Sequence, residues 1–430
     1  MILDPIAMNQ WFVDLEGVRV IQIDDEATPP EVHIELVRTV VGCPSCGVVA
    51  RVKDRDRVRL VDLSIVGRKI ALVWVKRRFI CLELECDQGT WTESDPRIGH
   101  PRLKLTDRAG RWATHQVGYH GRSVEGVAGD LGCEWHTVND AVLAYGEALI
   151  EHPGRFSDVA SLGLDEHLMV REGPRRHKNF VTAIVDVDQG QLLDIVPDRK
   201  GDEPKAWLRA MGPEWLAGVT AGTIDLSATY KSVFDDVLPK ATLVADPFHL
   251  VKLANAKVDE CRRRVQNETL GHRGRKSDPL YRIRRLLLLG KKRLDEPGRE
   301  KIMGYLAAGD PRGELQMTWH AAQSIPELYE VDDFALAEEF IDELIRDMAE
   351  PTFPVEVHSL SKTLKRWRTE IIAWHKRQIT NGPTESMNNL AKRVKRVAFG
   401  FRSFRNYRVR ALLLVFNGSA QQSRESTTMC

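Results

Sequence analysis

The stretch NFVTAIVDVDQGQLLDIV, residues 179–196, decides the fold of the central part of the chain. NFVTAIVDV (179–187) is rich in β-branched residues, Asp188-Gln189-Gly190 is a turn, and QLLDIV (191–196) is apolar again. That pattern predicts a β-hairpin. Upstream, Leu162-Gly163-Leu164-Asp165-Glu166 is a short apolar run ending in acid. Downstream, a Pro-initiated helix is predicted over 204–217, carrying Trp207, Met211 and Trp215. GVTAGTID (218–225) and ATLVAD (241–246) are two further strands ending in acid, with a helix around 228–238 between them. The predicted order is β-β-β-α-β-α-β.

Hairpin-linked antiparallel strands followed by α/β crossovers give a mixed five-stranded sheet with helices outside, as in the ribonuclease-H-like fold. A carboxylate at the C-terminal end of a strand projects from the sheet edge where α/β proteins bind ligands. Asp165 and Asp225 fall on the first and fourth strands, which are neighbours in that fold, so both are placed to reach one pair of metal ions. Asp246 is one strand further out, about 4.8 Å away in sheet spacing. With His249 it reads as a residue that supports the metal ligands from behind or holds the fold. Taken singly, a strand-terminal Asp is more often a turn residue or helix N-cap.

Towards the C-terminus, ITNGPTESMNNLAKRVKRVAFGFRSFRNYRVRALLL (379–414) begins with a turn and helix start at Asn381-Gly382-Pro383-Thr384. Glu385, Asn388 or Asn389, Lys392 and Arg396 then recur at helical spacing, so one face carries a carboxylate, an amide and cations. An acid brought to the sheet edge beside cations that meet phosphate suits two-metal phosphoryl transfer. Lys395 adds to the same charge, and Arg402, Arg405 and Arg408 recur every three residues on a predicted helix, which suits contact with a phosphate backbone. Between the sheet and this motif, residues of about 255–375 are predicted to form an all-α insertion.

The N-terminal hundred residues alternate with period two in GVRVIQI (17–23), VHIELV (32–37) and KIALVWV (69–75), where Ile70, Leu72 and Trp74 share a face. CPSCG places Cys43 and Cys46 three apart with Gly47 to close the turn, and CLELEC adds Cys81 and Cys86. Four thiolates on a β-ribbon give a closed structural zinc site; the alternative is two unrelated cysteine pairs. Cys133, Cys261 and Cys430 belong to no motif. From Leu105 to about Ile150 the pattern is helical. Ser123 is the N-cap of a helix bearing Val124, Val127, Ala128 and Leu131, Gly132 makes a turn, and Val138 packs back inward. This is the spacing of a helix-turn-helix, with Glu134, Trp135, His136, Thr137 and Asn139 placed to read base edges, and a generic helical hairpin as the alternative.

Charge narrows the partner. The chain of 430 residues balances 62 Lys/Arg against 61 Asp/Glu, but the signs are segregated. Residues 262–293 hold twelve cations to two acids, and 365–410 hold thirteen to two. Residues 327–350 hold ten acids and only Arg346. At least two basic surfaces and an acidic helical face are expected. MILDPIAMNQ lacks the basic start of a secretory signal, and no apolar run approaches the ~18 residues of a membrane span. A cytoplasmic protein is expected. No G-x-x-x-x-G-K-[ST], G-x-G-x-x-G or H-E-x-x-H occurs, which leaves other phosphate or zinc enzymes unsupported.

The chain resembles the DDE transposases of the bacterial ISL-three insertion-sequence group. The resemblance rests on CPSCG with RRFICLELEC, the helix-turn-helix, GLDEH, IDLSATY, ADPFHLVKLAN and above all TNGPTESMNNLAKRVKRVAFGFRSFRNY. It implies an enzyme that binds the terminal inverted repeats of a mobile element and cleaves and transfers DNA with two Mg²⁺ or Mn²⁺ ions. Double-stranded DNA, at the element ends and the target, is the implied partner, bound by a homodimer or higher oligomer at the nucleoid. By motif, Asp165 is the first acid and Glu385 the third; both Asp225 and Asp246 match the second, and topology favours Asp225. The implied organisation is a zinc-ribbon DNA-binding domain over 1–100, the helix-turn-helix over 101–155, a ribonuclease-H-like catalytic domain over 156–418 and a disordered tail over 419–430. The alternative is a transposase-derived, sequence-specific DNA-binding protein without nuclease activity. The presence of all four acids weighs against it.

Overall fold

The computed structural model describes residues 13–37, 40–155, 158–175 and 177–427. The first ten residues and Cys430, on which expectations were stated, lie outside them. The chain divides into two compact units, one comprising the residues up to Arg155 with those from Leu390 on, the other Phe156–Asn389.

In the first unit, β1 (Val18–Asp24), β2 (Glu31–Leu36), β3 (Arg51–Val61), β4 (Ala71–Ile80) and β5 (Thr90–Thr92) form one sheet. Its order is β1-β2-β4-β3, with β5 on β4. Val18, Val20, Val32, Ile34, Leu60, Leu72 and Trp74 supply its core. β4 begins within the expected KIALVWV run but continues through Lys76-Arg77-Arg78. There Arg77 is neutralised by Glu93 at 2.6 Å. β3 is absent from the sequence reading, because RVKDRDRVRLV carries charge at most positions and hides its alternation. It is an edge strand exposed along most of its length, held by its antiparallel ladder to β4.

Three helices follow: α1 (Asp107–Gly118), α2 (Val124–Leu131) and α3 (Trp135–Ile150). Ser123 caps α2, its hydroxyl accepting from the Gly126 N–H at 3.1 Å. Gly132 ends that helix at φ 72°, a left-handed conformation a side chain would strain. Val124, Val127, Ala128, Leu131 and Val138 pack inward as their spacing predicts.

The second unit contains β6 (Ser161–Glu172), β7 (His177–Asp186), β8 (Gln191–Pro197), α4 (Asp202–Ala210), α5 (Pro213–Gly218), β9 (Ala221–Ile224), α6 (Ala228–Val237) and β10 (Thr242–Ala245). The sheet order is β10-β9-β6-β7-β8. β6, β7 and β8 pair antiparallel, while β9 and β10 run parallel to β6 and to each other, respectively. The helix predicted over 204–217 is broken in two at Gly212, whose φ of 85° stands just before Pro213.

From α7 (Pro247–Leu270) onward the chain is helical. It runs through α8 (Pro279–Ile283), α9 (Glu296–Gly309), α10 (Glu314–Leu328), α11 (Phe334–Asp347), α12 (Val355–Arg366), α13 (Arg368–Ile372) and α14 (Trp374–Arg377). These helices share one continuous apolar core with the sheet. Much of the charge segregation proves internal. Arg264 reaches Glu356 at 2.8 Å and Glu314 at 3.3 Å, and buried Arg262 bonds Asp259 at 2.6 Å. The Arg262–Arg264 block is therefore no free basic surface. On acidic α11, Asp342 is paired with Arg368 at 2.7 Å.

α15 (Gly382–Val397) and α16 (Phe404–Thr427) end the described chain. α16 packs on α1 and α3, where Gly118 and Gly146 leave room for Leu413 and Val409. The division into compact units falls near residue 390, inside the span expected for the catalytic domain. The helix also runs on to Thr427, where disorder is expected from 419; extending a formed helix through polar residues costs little.

Candidate active site and metal centre

Parallel register sets three acids level. Leu164 pairs with Ile224, and Ile224 with Ala245, so the residues that come next are Asp165, within β6 rather than at its end, and Asp225 and Asp246, just past β9 and β10. Asp225 follows the middle strand of the three.

The start of α15 meets this edge. Gly163 makes the approach possible: a Cβ there would lie 2.1 Å from the Thr384 Oγ1 and 3.3 Å from the Asn381 Oδ1. Asn381 donates its backbone N–H to Asp246 Oδ1 at 2.8 Å and its Nδ2 to Asp225 Oδ1 at 3.0 Å. One turn past Glu385, Asn388 donates from Nδ2 to Asp165 Oδ2 at 2.6 Å.

Electrostatics separate the three acids. Burial and the neighbouring Asp225 charge push the Asp165 carboxyl up to about 7, against the opposing Asn388 hydrogen bond. For Asp246, burial raises the carboxyl, but hydrogen bonds from His249 and the Asn381 N–H outweigh it and hold the group below the usual carboxylate range. Asp246 is the N-cap of α7, accepting from the His249 N–H at 3.1 Å as well as from its Nδ1 at 2.9 Å. Both of its oxygens are thus engaged within the protein.

His249 Nδ1 also lies 2.9 Å from Asp225 Oδ1, and Nε2 lies 3.6 Å from Glu385 Oε1. Burial opposes its protonation, yet bonds to Asp225 and Asp246 raise it to about 10. The imidazolium thus stands between Asp225 and Glu385. Among the described residues, the four cysteines form the one group of three or more metal-ligand side chains with donor atoms within 4.8 Å of one another. Asp165, Asp225 and Glu385 share an edge but are not closed into a cage.

The donor set fits a hard divalent cation. The Asp225 charge adds to burial in raising the Asp165 carboxyl, a repulsion that a divalent cation between the two would relieve. The buried Oδ1 atoms of Asn381 and Asn388 and the Oγ1 of Thr384 have no hydrogen-bond partner. Carboxylate and amide oxygens are what Mg²⁺ prefers. Asn381 was visible in the sequence only as part of a turn, and its contact with the acids depends on pairing across more than 130 residues.

The expected nucleic-acid-binding residues fare unequally. Glu134, Trp135 and His136 are exposed at the start of α3, but Thr137 and Asn139 are buried there. Asn388 is buried on Asp165 and is no surface residue. Lys392, Lys395 and Arg396 continue along α15, and Arg396 is exposed. Burial lowers the Lys395 ammonium, as do the charges of Lys392 and Arg396. Exposed Arg402 precedes α16. Arg405 and Arg408 do not form a free cationic row: Arg405 pairs with Glu147 on α3 at 2.5 Å and Arg408 with Glu151, just past its C-terminus, at 2.6 Å.

The cysteine site is closed. Cys43 and Cys86 sulfurs lie 3.8 Å apart, and Cys46 and Cys81 sulfurs 3.5 Å apart. Four sulfurs at about 2.3 Å around a tetrahedral zinc lie about 3.8 Å from one another. Gly47, at φ 77°, closes the knuckle, its N–H bonded to the Cys43 carbonyl at 2.9 Å. The four sulfurs make a structural zinc site.

Comparison with known proteins bears on both centres. A family model described as transposase, the DDE type of the ISL3 group, matches residues 162–411. A second, described as the zinc-finger of transposase IS204/IS1001/IS1096/IS1165, matches residues 39–86. The chain is 28% identical over 393 residues to the transposase for insertion sequence element IS1557 of Mycobacterium tuberculosis, covering 83% of this chain and 86% of that one. It is 25% identical over 417 residues to the transposase for insertion sequence element IS1001 of Bordetella parapertussis, covering 93% and 94%.

Proposed function

Since the chain belongs to the ISL3 group of DDE transposases, we propose that it binds the inverted repeats of its element and cleaves and transfers DNA at the Asp165–Asp225–Glu385 edge. In this reading the second unit is a ribonuclease-H-like catalytic fold, and α2 and α3 are a helix-turn-helix beside the zinc ribbon. The observation that carries it is the level placement of Asp165 and Asp225 on adjacent parallel strands, with α15 tied to the first of them by Asn388.

Asp165, Asp225 and Glu385 would hold two Mg²⁺ ions, which supply charge neutralisation at the attacked phosphate and lower the pKa of bound water. Asn388 orients the Asp165 carboxylate, and Asn381 fixes one oxygen of Asp225. Asp246 holds His249 and the Asn381 N–H, and so positions the start of α15 without ligating a metal. With the groups so held, water displaces a 3′-oxygen from phosphorus at the element end, and that freed 3′-hydroxyl then attacks a target phosphodiester, joining its phosphorus and releasing the target strand's 3′-oxygen as a hydroxyl. Exposed His136 and Glu134 are placed to read bases, while Arg396 and Arg402 meet phosphates. The partner is double-stranded DNA in the cytoplasm, bound by two or more copies of the chain.

The test is cleavage of a duplex carrying the element's terminal repeat. Mg²⁺-dependent nicking at the repeat boundary supports the proposal. Tight binding without cleavage in Mg²⁺ or Mn²⁺ would favour a DNA-binding protein without nuclease activity.

A further inference from the structure

The motif FGFRSFRNY, residues 399–407, has no part in the acid edge. With the first turn of α2 and the start of α3 it lines a cavity of about 800 Å³ within the first unit. That volume is in the range of small-ligand sites.

Its lining is mostly apolar, but it holds polar groups without partners. Arg410 is only 6% exposed. No carboxylate pairs with it among the described residues, its Nε has no hydrogen-bond partner, and its one hydrogen bond is a long one, 3.4 Å, to the Arg122 carbonyl. The guanidinium lies 5.1 Å from the Phe401 ring, and burial alone draws its pKa down to about 10. Burying a cation without an anion is costly, and such a group is retained where an anion arrives to meet it. Asn406 adds a buried Oδ1 with no partner, and Asn139 also lines the space. The first turn of α16 contributes to the wall, and helix N-termini favour phosphate, while the first turn of α2 brings the opposing charge of Glu125.

The rim is aromatic. Phe399 is 98% exposed, and its φ of 54° is one that a side chain rarely adopts. A large ring held out in water on a strained turn has no role in the apolar core. Trp135 stands at the same cavity, 37% exposed.

We propose that this cavity receives a single nucleotide swung out of a DNA strand, its phosphate paired with Arg410 and its base stacked on Phe399. Stacking on an aromatic ring needs no base identity, and a buried arginine supplies the charge that a free base lacks. The amide of Asn406, whose Oδ1 has no partner, is available to the base edge. The inference rests on the DNA-transposing reading above but concerns a site distinct from the acid edge.

The test uses the full chain and two probes: a single-stranded oligonucleotide carrying 2-aminopurine, and a fluorescent duplex without it. Binding should quench the 2-aminopurine. Phe399→Ala, at a fully exposed position, should abolish the quench and weaken the single strand about tenfold, leaving the duplex nearly unchanged. Phe399→Tyr should restore both. Arg410→Gln should weaken the single strand and reduce its salt dependence by about one phosphate contact. Duplex binding with a Phe399→Ala variant that quenches and binds like the parent would overturn this inference alone. Inorganic phosphate competing as well as the oligonucleotide would likewise overturn it, reducing the site to an anion subsite. Failure to bind either DNA would overturn the transposase reading with it.

Discussion

Asn388 and Asp165 stand 223 residues apart in sequence and share a hydrogen bond of 2.6 Å from Nδ2 to Oδ2. The bond joins the middle of the longest strand of the sheet to the helix that carries Glu385. It matters because Asp165 is a buried carboxyl beside a second acid, raised to about 7 by burial and then by Asp225. The bond opposes both effects and gives the carboxylate one orientation.

Asp165 should therefore cost the magnesium-free protein stability at high pH. A carboxyl whose folded pKa is raised contributes stability that is present below its unfolded value, about 4, and lost as pH rises through about 7. Asp165→Asn removes that dependence. It should match the parent near pH 4 and exceed it at pH 8 by a few kcal/mol at most. Urea unfolding in magnesium-free buffer at the two pH values measures this; equal stability at pH 8 would contradict it.

Gly163→Ala should unseat α15. The added methyl would meet Thr384 Oγ1 at 2.1 Å, and overpacking of this kind costs about 1–3 kcal/mol. Adding Thr384→Ala should recover most of the loss. A double-mutant cycle with no coupling would mean that the strand and helix do not touch there.

Much of this region was legible in sequence because the apolar runs of β9 and β10 stop at an acid, whereas β6 runs on past Asp165 to Glu172 because its ladder to β7 continues. Register made Asp165, Asp225 and Asp246 level, as those stops suggest. What stayed hidden was mostly long-range pairing. Arg405 and Arg408 read as free cations because nothing local reveals Glu147 and Glu151 opposite them. Thr137 and Asn139 fall at the start of α3 where base-reading residues are expected, yet the packing of that turn buries them. β3 escaped because an edge strand with little to bury can carry charge at most positions.

Those ion pairs change what an arginine scan should find. Arg396→Ala should weaken all DNA alike and lower the slope of log affinity against log salt by about one. Arg405→Ala should leave affinity near the parent and cost at most about 1 kcal/mol of stability, since its partner Glu147 is part exposed. His136→Ala should instead reduce discrimination between the terminal repeat and a scrambled duplex. Titrations of the two duplexes across salt concentration separate these effects; a larger loss at Arg405 than at Arg396 would count against the assignment.

The zinc site predicts one equivalent of zinc per chain. Cys46→Ser or Cys81→Ser should release it and lower the thermal midpoint of the full protein, because a closed four-sulfur site contributes folding energy. Metal analysis alongside thermal unfolding decides the matter. Zinc-free protein that unfolds at the same temperature would refute a structural role.

Which acids hold the metal is tested most directly by cleavage of the terminal-repeat duplex in Mg²⁺ by four amide variants. Asp165→Asn, Asp225→Asn and Glu385→Gln should each bind DNA and fail to cut it, while Asp246→Asn, whose oxygens serve His249 and Asn381, should retain measurable cleavage. Loss of cleavage in Asp246→Asn with retention in Asp225→Asn would move the second acid one strand outward. Full cleavage by Asp165→Asn or Glu385→Gln would contradict the proposed site altogether.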